Sequence, residues 1–221
     1  LLMAIVIGIP LGVFAGLNAE SRISKTIMAG SILGFSLPTF WVGLMFIMIF
    51  AVMLGWLPST GRGDTIPLMG INVSFLTLDG LAHLFLPALN LALFKISLVI
   101  RLARAGTREI IHQDFIKFAR AKGLSTSRVI LVHLMKNIMI PVVTVLGLEF
   151  GGLIAFSVVT ETVFAWPGMG KLIIDSIQSL DRPIIVAYLM IIVLVFVIIN
   201  LVVDLLYSIL DPRVRIQDVK G

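Results

Sequence analysis

Residues 183–203 read PIIVAYLMIIVLVFVIINLVV, an unbroken run of 21 positions without a charged side chain. An α-helix rises about 1.5 Å per residue and the hydrocarbon core of a bilayer is about 30 Å thick, so about 20 apolar residues span it. The rest of the chain has a similar character, because 59% of its 221 residues are hydrophobic and only 13% are charged. Soluble domains have about a quarter charged residues. The sequence therefore predicts an all-α membrane protein.

Four further stretches are long and apolar enough to cross a bilayer. We expect a polytopic helical bundle of five spans, with Pro38 kinking the second. A signal peptide is the alternative for the first stretch, but it would need a basic start and a shorter apolar core. The chain opens at Leu1, and we expect it to be a fragment or a processed chain. The predicted spans cover about residues 1–18, 28–54, 82–103, 135–160 and 184–208.

The basic residues predict the orientation of these spans. Thirteen of the 17 Lys and Arg residues lie on one side of the predicted membrane and three lie on the other. Positive charge favours the cytoplasmic side, so the loop of residues 104–134 and the C-terminus are predicted to be cytoplasmic. The thirteen are Arg22, Lys25, Arg101, Arg104, Arg108, Lys117, Arg120, Lys122, Arg128, Lys136, Arg213, Arg215 and Lys220.

The long basic loop has predicted helical order of its own. Asp114 is expected to cap a helix over residues 115–122, and Gly123 is expected to end it in the left-handed conformation. Phe115, Phe118 and Ala119 are expected on one side of this helix. Residue types alone leave two interpretations open: a basic amphipathic segment on anionic lipid, or a surface for a partner protein.

Three stretches carry a resemblance to a known family. Residues 114–124 read DFIKFARAKGL and are followed by His133 and Pro141, and residues 161–170 read ETVFAWPGMG. Residues 200–207 read NLVVDLLY, and residues 210–215 read LDPRVR. In this order, and over essentially the whole chain, they resemble permease subunits of the dipeptide, oligopeptide and nickel branch of bacterial ABC importers.

The resemblance implies a helical permease of ABC importer type, with six spans in the complete subunit and the last five in this chain. It implies a translocation path for peptides or a related small solute delivered by an external binding protein. The substrate stays open, because similar permeases handle nickel, glutathione, opines and some sugars. The implied location is the bacterial inner membrane. The implied partners are a second homologous permease subunit, two ATP-binding subunits, the external binding protein and the lipid bilayer, with no nucleic acid.

The resemblance also implies that the short cytoplasmic helix couples the permease to a separate ATPase. The family's wider pattern is Glu-Ala-Ala, three residues and Gly, whereas this chain has Lys117, Phe118 and Ala119, with Gly123 retained. No cofactor is expected in this chain, with ATP and magnesium on the partner ATPase. Gly168–Lys171 lacks phosphate-loop spacing and is interpreted as a turn between helices, so the chain is not expected to be an enzyme. The predicted coupling residues are Asp114, Phe115, Phe118, Ala119, Arg120, Ala121 and Gly123.

Two opposite charges fall in the middle of predicted spans, Lys95 and Glu149. Charge at membrane depth is costly, so such residues are paired, hydrated or functional. Lys95 and Glu149 are expected either to form a structural pair between helices or to line the translocation path. Asp204, near Arg213 and Arg215 in sequence, is interpreted as structural. No metal site is expected, because the three histidines, His83, His112 and His133, lack ligand spacing.

Two other classes of membrane protein are alternatives to the importer subunit. A secondary transporter or channel driven by an ion gradient would favour acidic residues deep in several spans and internal repeats, whereas only Glu149 fits and no repeat is seen. A membrane-embedded enzyme would be marked by HExxH, GxSxG or paired intramembrane aspartates, and the sequence contains none of them.

Overall fold

The computed structural model describes residues 1–210 except Met69, and within them all side chains except those of Ala155, Phe156 and residues 206–210. The basic tail used to predict orientation, with Arg213, Arg215 and Lys220, lies outside the described residues.

Helices make up most of the described chain, with one small hairpin. Strands β1 (Ile66–Leu68) and β2 (Ile71–Val73) pair antiparallel, with Ile66 opposite Val73. π-helical segments follow α3 at Ile47–Met53 and α6 at Val129–Leu134. The α-helices are α1 (Leu2–Leu17), α2 (Arg22–Ser36), α3 (Thr39–Phe46), α4 (Leu78–Ile110), α5 (Asp114–Ala121), α6 (Thr126–Arg128), α7 (Met135–Val163), α8 (Met169–Gln178) and α9 (Arg182–Leu210).

Within the described residues, three helices are long and apolar enough to cross a membrane by length and composition. They are Leu78–Ile110, Thr126–Ile154 and Arg182–Leu205, with mean hydropathies of 1.8, 2.0 and 3.2. A bent pair, Arg22–Ser36 with Thr39–Met53, makes a fourth if it is counted as one span. The apolar helix α1 has 16 residues. The five-span organisation stays a prediction.

The predicted second span differs most from the structure. It was expected over about residues 28–54 with a kink, but α2 begins at Arg22 and the two helices meet at an angle of 110°. Pro38 lies in extended backbone ahead of α3, with φ −61° and ψ 133°. Proline has no N–H to donate and disfavours helical backbone in the preceding residue, so the helix breaks here rather than kinking.

The chain divides into two compact units. The first comprises Leu1–Phe35, Lys95–Phe150 and Val195–Gly221. Within it α1 approaches α4 through Gly8, Gly12 and Gly16, where an added Cβ would lie only 2.8, 2.6 and 2.5 Å from side-chain atoms of α4. Glycines four residues apart form one smooth helix face, which lets two backbones pack closely. Gly147 of α7 approaches Val203 of α9 in the same way.

The second unit comprises Ser36–Phe94 and Gly151–Leu194. Phe164, only 1% exposed, follows α7 and accepts a hydrogen bond from the backbone N–H of Gly61 through its carbonyl at 3.0 Å. Asn90 of α4 donates to the Thr160 hydroxyl of α7 at 3.1 Å. The second unit therefore has its own buried contacts, and it carries the hairpin and α8.

Candidate functional site

The predicted coupling helix is present as α5, but its start differs from the prediction. Gln113 is the N-cap and makes no side-chain capping bond, while Asp114 is the first helical residue. The Asp114 carboxylate instead accepts a hydrogen bond from the Lys117 ammonium at 2.9 Å, and both side chains are exposed. This hydrogen bond, with the attraction of the Lys117 charge, lowers the pKa of Asp114 below its ordinary value of 3.8.

The predicted end of this helix is confirmed. Gly123 has a φ of +76°, in the left-handed region that glycine enters at little cost. The N–H groups of Gly123 and Leu124 close the last turn on the carbonyls of Arg120 and Ala119. Ser125 then accepts a hydrogen bond from the N–H of Arg128 and so caps α6. The chain therefore turns sharply after α5.

One side of α5 is buried and the other is exposed. Ile116, Ala119 and Val129 form a buried apolar cluster, with Ile110, Ile111 and Leu124 packed around it. Phe115 and Phe118 are instead 43% and 61% exposed. The prediction that Ala119 shares a side with the two phenylalanines is therefore wrong, because residues 116 and 119 form the buried stripe of an amphipathic helix.

We call the two exposed phenylalanines, Phe115 and Phe118, the aromatic face of α5, and a basic residue lies against one of them. The ammonium of Lys122 lies 4.6 Å above the Phe118 ring. Arg120 and Ala121, also predicted for coupling, are exposed. The structure therefore places six of the seven predicted coupling residues at the surface or at the terminal turn, with Ala119 underneath.

The two charges predicted inside spans are brought together by the structure. The Lys95 ammonium of α4 forms an ion pair and hydrogen bond with the Glu149 carboxylate of α7. The side chain of Lys95 is 2% exposed and that of Glu149 is 32% exposed. The pair therefore has a buried cationic end and a partly accessible anionic end.

Asn90 and Thr160 form a buried polar contact that the sequence analysis missed. Both residues are at most 2% exposed. Within the described part of the chain, the Asn90 carbonyl oxygen has no hydrogen-bond partner. Neutral polar residues in a span give a weak sequence signal, because Asn and Thr also occur in apolar helices without a functional role.

Glu161, near the end of α7, anchors the start of α8. Its carboxylate accepts a hydrogen bond from the backbone N–H of Lys171 at 2.8 Å. A Cβ added to Gly168 would lie 2.3 Å from the Glu161 carboxyl carbon, and one added to Gly170 would lie 3.0 Å from a carboxylate oxygen. Negative charge is favourable at a helix N-terminus, where backbone N–H groups lack partners. The sequence carries no local signal for this contact, because it joins residues of two different helices.

Gly168–Lys171 therefore has a structural explanation. The segment is the start of α8, which follows the N-cap Gly168, and the chain's own carboxylate occupies the position where a phosphate would bind. The interpretation of the segment as a turn between helices is therefore wrong for Met169–Lys171, which are helical, and only Gly168 lies before the helix.

The remaining ionisable residues singled out in the sequence lie apart from these features. His83 contacts the Asp79 carboxylate at 3.5 Å on the same helix. Within the described residues, no group of three His, Cys, Asp or Glu side chains could hold a metal ion. Asp204 is exposed on α9, and the arginines proposed as its neighbours lie outside the described residues.

The chain is similar to known transport proteins over nearly its full length. The family model for the binding-protein-dependent transport system inner membrane component matches residues 8–216. The di/tripeptide transport system permease protein DppB of Pseudomonas aeruginosa is 38% identical, over 98% of this chain and 68% of its own length. The dipeptide permease protein DppB of Escherichia coli K12 is 36% identical, over 97% of this chain and 68% of its own length.

Two further comparisons extend this result. The oligopeptide transport system permease protein AppB of Bacillus subtilis is 39% identical, over 97% of this chain and 66% of its own length. A solved structure of the MetNI methionine ABC transporter, in inward-facing conformations, superposes with a TM-score of 0.69 at 17% identity, over 95% of this chain and 88% of that one. The chain thus spans about two thirds of the length of its curated relatives and has the fold of an ABC transporter permease. It belongs to the family of binding-protein-dependent transport system inner membrane components, as an ABC importer permease of the dipeptide and oligopeptide branch.

Proposed function

We propose that this chain is the transmembrane permease subunit of an ATP-driven importer for peptides or a related small solute. It works in the bacterial inner membrane beside a second homologous permease subunit. An external binding protein delivers the substrate, and two separate ATP-binding subunits, which hold ATP and magnesium, supply the energy. The C-terminus and α5 lie on the cytoplasmic side. The peptide systems of its relatives support the substrate class.

The observation that carries this proposal is the aromatic face of α5. Phenylalanine side chains are large and apolar, and aromatic residues seated in a partner's pocket often dominate binding energy. Phe115 and Phe118 are held outward while Ile116 and Ala119 fix the other side of the same helix in a buried cluster. A helix packed in this way transmits a displacement of its partner to the helices beneath it. We therefore assign docking to the aromatic face.

Association with the ATPase tests this assignment. We expect Phe115→Ala with Phe118→Ala to reduce both copurification of the ATP-hydrolysing subunits and transport-coupled ATP hydrolysis by about tenfold or more. Two aromatic side chains seated in a partner's pocket would together contribute at least about 1.4 kcal/mol to binding. Phe196→Ala, which removes a phenylalanine 44% exposed on α9, is the matched control. Unchanged association of the double variant would contradict the docking role and favour the alternative of lipid contact.

The energy source distinguishes the importer from a transporter driven by an ion gradient. We expect uptake in proteoliposomes to stop when ATP is removed from the ATPase side and to continue when ion gradients are dissipated with ionophores. Uptake that continues without ATP and stops when ionophores dissipate the ion gradients would overturn the proposed function.

The ion pair of Lys95 and Glu149 indicates where the translocation path runs. A carboxylate with 32% of its side chain accessible at membrane depth would cost several kcal/mol if that part faced lipid. We therefore assign the accessible side of Glu149 to a water-filled path shared with the second permease subunit. Lys95, nearly fully buried, sets the position and charge of the carboxylate.

Exchange of the two charges separates a path role from a structural one. Glu149→Gln alone leaves a buried ammonium without its carboxylate and is expected to cost about 3 kcal/mol of stability. Lys95→Glu with Glu149→Lys restores an ion pair and hence most of the stability. If Glu149 lines the path, the uptake rate of the exchanged variant should stay about tenfold below that of the unchanged protein. Full recovery of the uptake rate would leave only a structural role for the pair. Asp204→Asn, on an exposed position of α9, is the control.

A further inference from the structure

An open cleft of about 670 Å³ lies within the second unit, at some distance in sequence from both the ion pair and α5. One wall is the segment that carries the β-hairpin, and the other is the start of α8 with the residues before it. Small-molecule sites commonly have volumes of 300–1,000 Å³, about the size of this cleft. Its wall residues include Arg62, Phe75, Trp166, Lys171 and Asp175.

The hairpin wall is held by polar contacts to the start of α4. The N–H of Asp64 donates to the Asp79 carboxylate at 2.8 Å, and the Thr77 hydroxyl donates to the Asp64 carbonyl at 2.9 Å. Arg62, which precedes β1, donates to the carbonyl of Asn72 in β2 and so ties the segment before the hairpin to its second strand. Gly63 has a φ of +69° and lies against the side chains of Asp79 and His83, where a larger residue would not fit. This wall is therefore formed before any ligand binds.

The α8 wall is held by Glu161. Its carboxylate binds the N–H of Lys171, and the Glu161 carbonyl accepts a hydrogen bond from the N–H of Trp166 at 2.8 Å. Both contacts fix the backbone of the cleft wall, while the side chains of Lys171 and Asp175 project from α8 and are exposed. Because its backbone is fixed from behind, only the side chains of this wall remain to be ordered when a ligand binds.

The charges in the cleft suit a small zwitterion. Arg62 and Lys171 are cations, and a guanidinium has five donors in a fork that matches a carboxylate. Asp175 is the counterpart for an ammonium group. Lys171 and Asp175 are four residues apart on α8, which places their Cβ atoms about 6 Å apart. The two ends of an extended dipeptide are separated by at most about 7 Å.

The aromatic walls suit the side chains of such a ligand. Trp166 is half-buried and Phe75 is 53% exposed, so both offer ring surface to the cleft. Apolar walls with a few fixed polar groups are typical of small-molecule sites. A short peptide with free ends and an apolar side chain therefore matches the volume, the charges and the surface together.

We propose that this cleft is a receiving site for short peptides with free termini, on the outer side of the permease. Arg62 and Lys171 bind the terminal carboxylate, Asp175 binds the terminal ammonium, and Phe75 and Trp166 contact the side chains. The site holds a peptide released by the external binding protein before it enters the path. This inference rests on the proposed import of peptides. It adds a site on the permease that binds both termini of the peptide.

Binding of the dipeptide Ala-Phe and its blocked forms tests the site. The complete transporter in nanodiscs, without the external binding protein, is incubated with radiolabelled Ala-Phe, N-acetyl-Ala-Phe or Ala-Phe amide, and equilibrium binding is measured. We expect Asp175→Asn to weaken Ala-Phe binding by about tenfold and to leave N-acetyl-Ala-Phe unaffected, since that peptide has no ammonium. Lys171→Gln is expected to weaken Ala-Phe and to leave the amide unaffected.

Matched controls are Glu20→Gln and Lys25→Gln, which change exposed charges in the other unit. They are expected to leave binding of all three peptides unchanged. The inference is overturned if the transporter binds blocked and free peptides equally, if no peptide binds, or if Asp175→Asn and Glu20→Gln have the same effect. ATP-driven uptake by the same preparation is measured separately. Uptake that persists without selective peptide binding would remove this site and leave the proposed function standing.

Discussion

Two short helices outside the long apolar helices, α5 and α8, are held in different ways. In α8 the N-terminus is bound by the carboxylate of Glu161 from the preceding long helix, with glycines that allow its close approach. In α5 the N-cap makes no side-chain bond, the first acidic residue is exposed, and the helix rests on Ile116 and Ala119. Both helices have a buried side, which in α8 is Gly170, Ile173 and Ser176, but only α8 is also fixed at its N-terminus by a side chain of another helix.

With the proposed docking role of α5, the difference separates a helix that belongs to the permease scaffold from one that faces a partner. The polar groups at the start of α8 bond within the chain, so the backbone that carries its exposed side chains is fixed. In α5 only the apolar side is used, and two phenylalanines stay exposed. An exposed aromatic pair is a known mark of interaction surfaces, since the same area would otherwise be placed in a core.

The largest effect on stability is expected from the buried side of α5. Ile116→Ala removes a side chain that is 0% exposed and should destabilise α5 by about 3 kcal/mol through lost apolar contacts and a cavity. Amide hydrogen exchange over Asp114–Ala121 should then accelerate by about 100-fold. Phe118→Ala, on the opposite side, should change the exchange rate little. Equal effects of the two variants would remove the distinction between the two sides.

The next effect is expected from the anchor of α8. Glu161→Ala removes a charged hydrogen-bond acceptor from the helix N-terminus and should cost about 2 kcal/mol. Hydrogen exchange over Met169–Gln178 should accelerate, while exchange over α5 should not change. Glu161→Gln keeps an acceptor and should retain part of the stability. If neither variant alters α8, the helix is held by apolar packing as α5 is.

A smaller effect is expected from Gly168. Its φ of −112° is open to any residue, so the cost of Gly168→Ala comes from the clash with the Glu161 carboxylate and should be about 1 kcal/mol. In a Glu161→Ala background the clash is absent and the cost should fall to near zero. A double-mutant cycle measured by thermal unfolding checks this coupling. Additive effects would contradict the proposed contact.

The smallest effect is expected from Asp114 and depends on pH. Lys117 lowers the pKa of Asp114 in the folded chain below the unfolded value of 3.8, so the pair stabilises α5 at neutral pH. That contribution is lost as the pH falls from 3.8 through the lowered pKa. Both groups are exposed, so Asp114→Asn should change thermal unfolding at neutral pH by only a small amount, and the difference should vanish in acid. A difference that grows in acid would contradict this sign.

Several features of the fold were accessible from the sequence because they depend on local chemistry. The apolar run at residues 183–203 predicted a long helix, which the structure has as α9. Gly123 predicted a helix end with positive φ, since only glycine enters that region cheaply. Lys95 and Glu149 were predicted as a possible pair because a charge at membrane depth is costly unless an opposite charge lies beside it.

Other features could not be read from one segment. The 110° bend at Pro38 depends on how far the chain turns after its helix stops, which proline alone does not set. The burial of Ala119 and the exposure of Phe118 depend on which side of α5 finds a neighbour, here Val129. The approach of α1 to α4 needs glycines on one helix and suitable residues at the right height on the other.

By itself the sequence determined the class of protein, its long apolar helices and the ends of several of them, because hydropathy, charge and glycine conformation act over a few residues. Only the tertiary structure decided that Glu161 binds the start of α8, that Lys95 is buried while Glu149 stays partly open, and that the aromatic face of α5 is outward. These features depend on contacts between residues distant in sequence. Whether a side chain is buried is decided by the residues that pack against it and not by its own type.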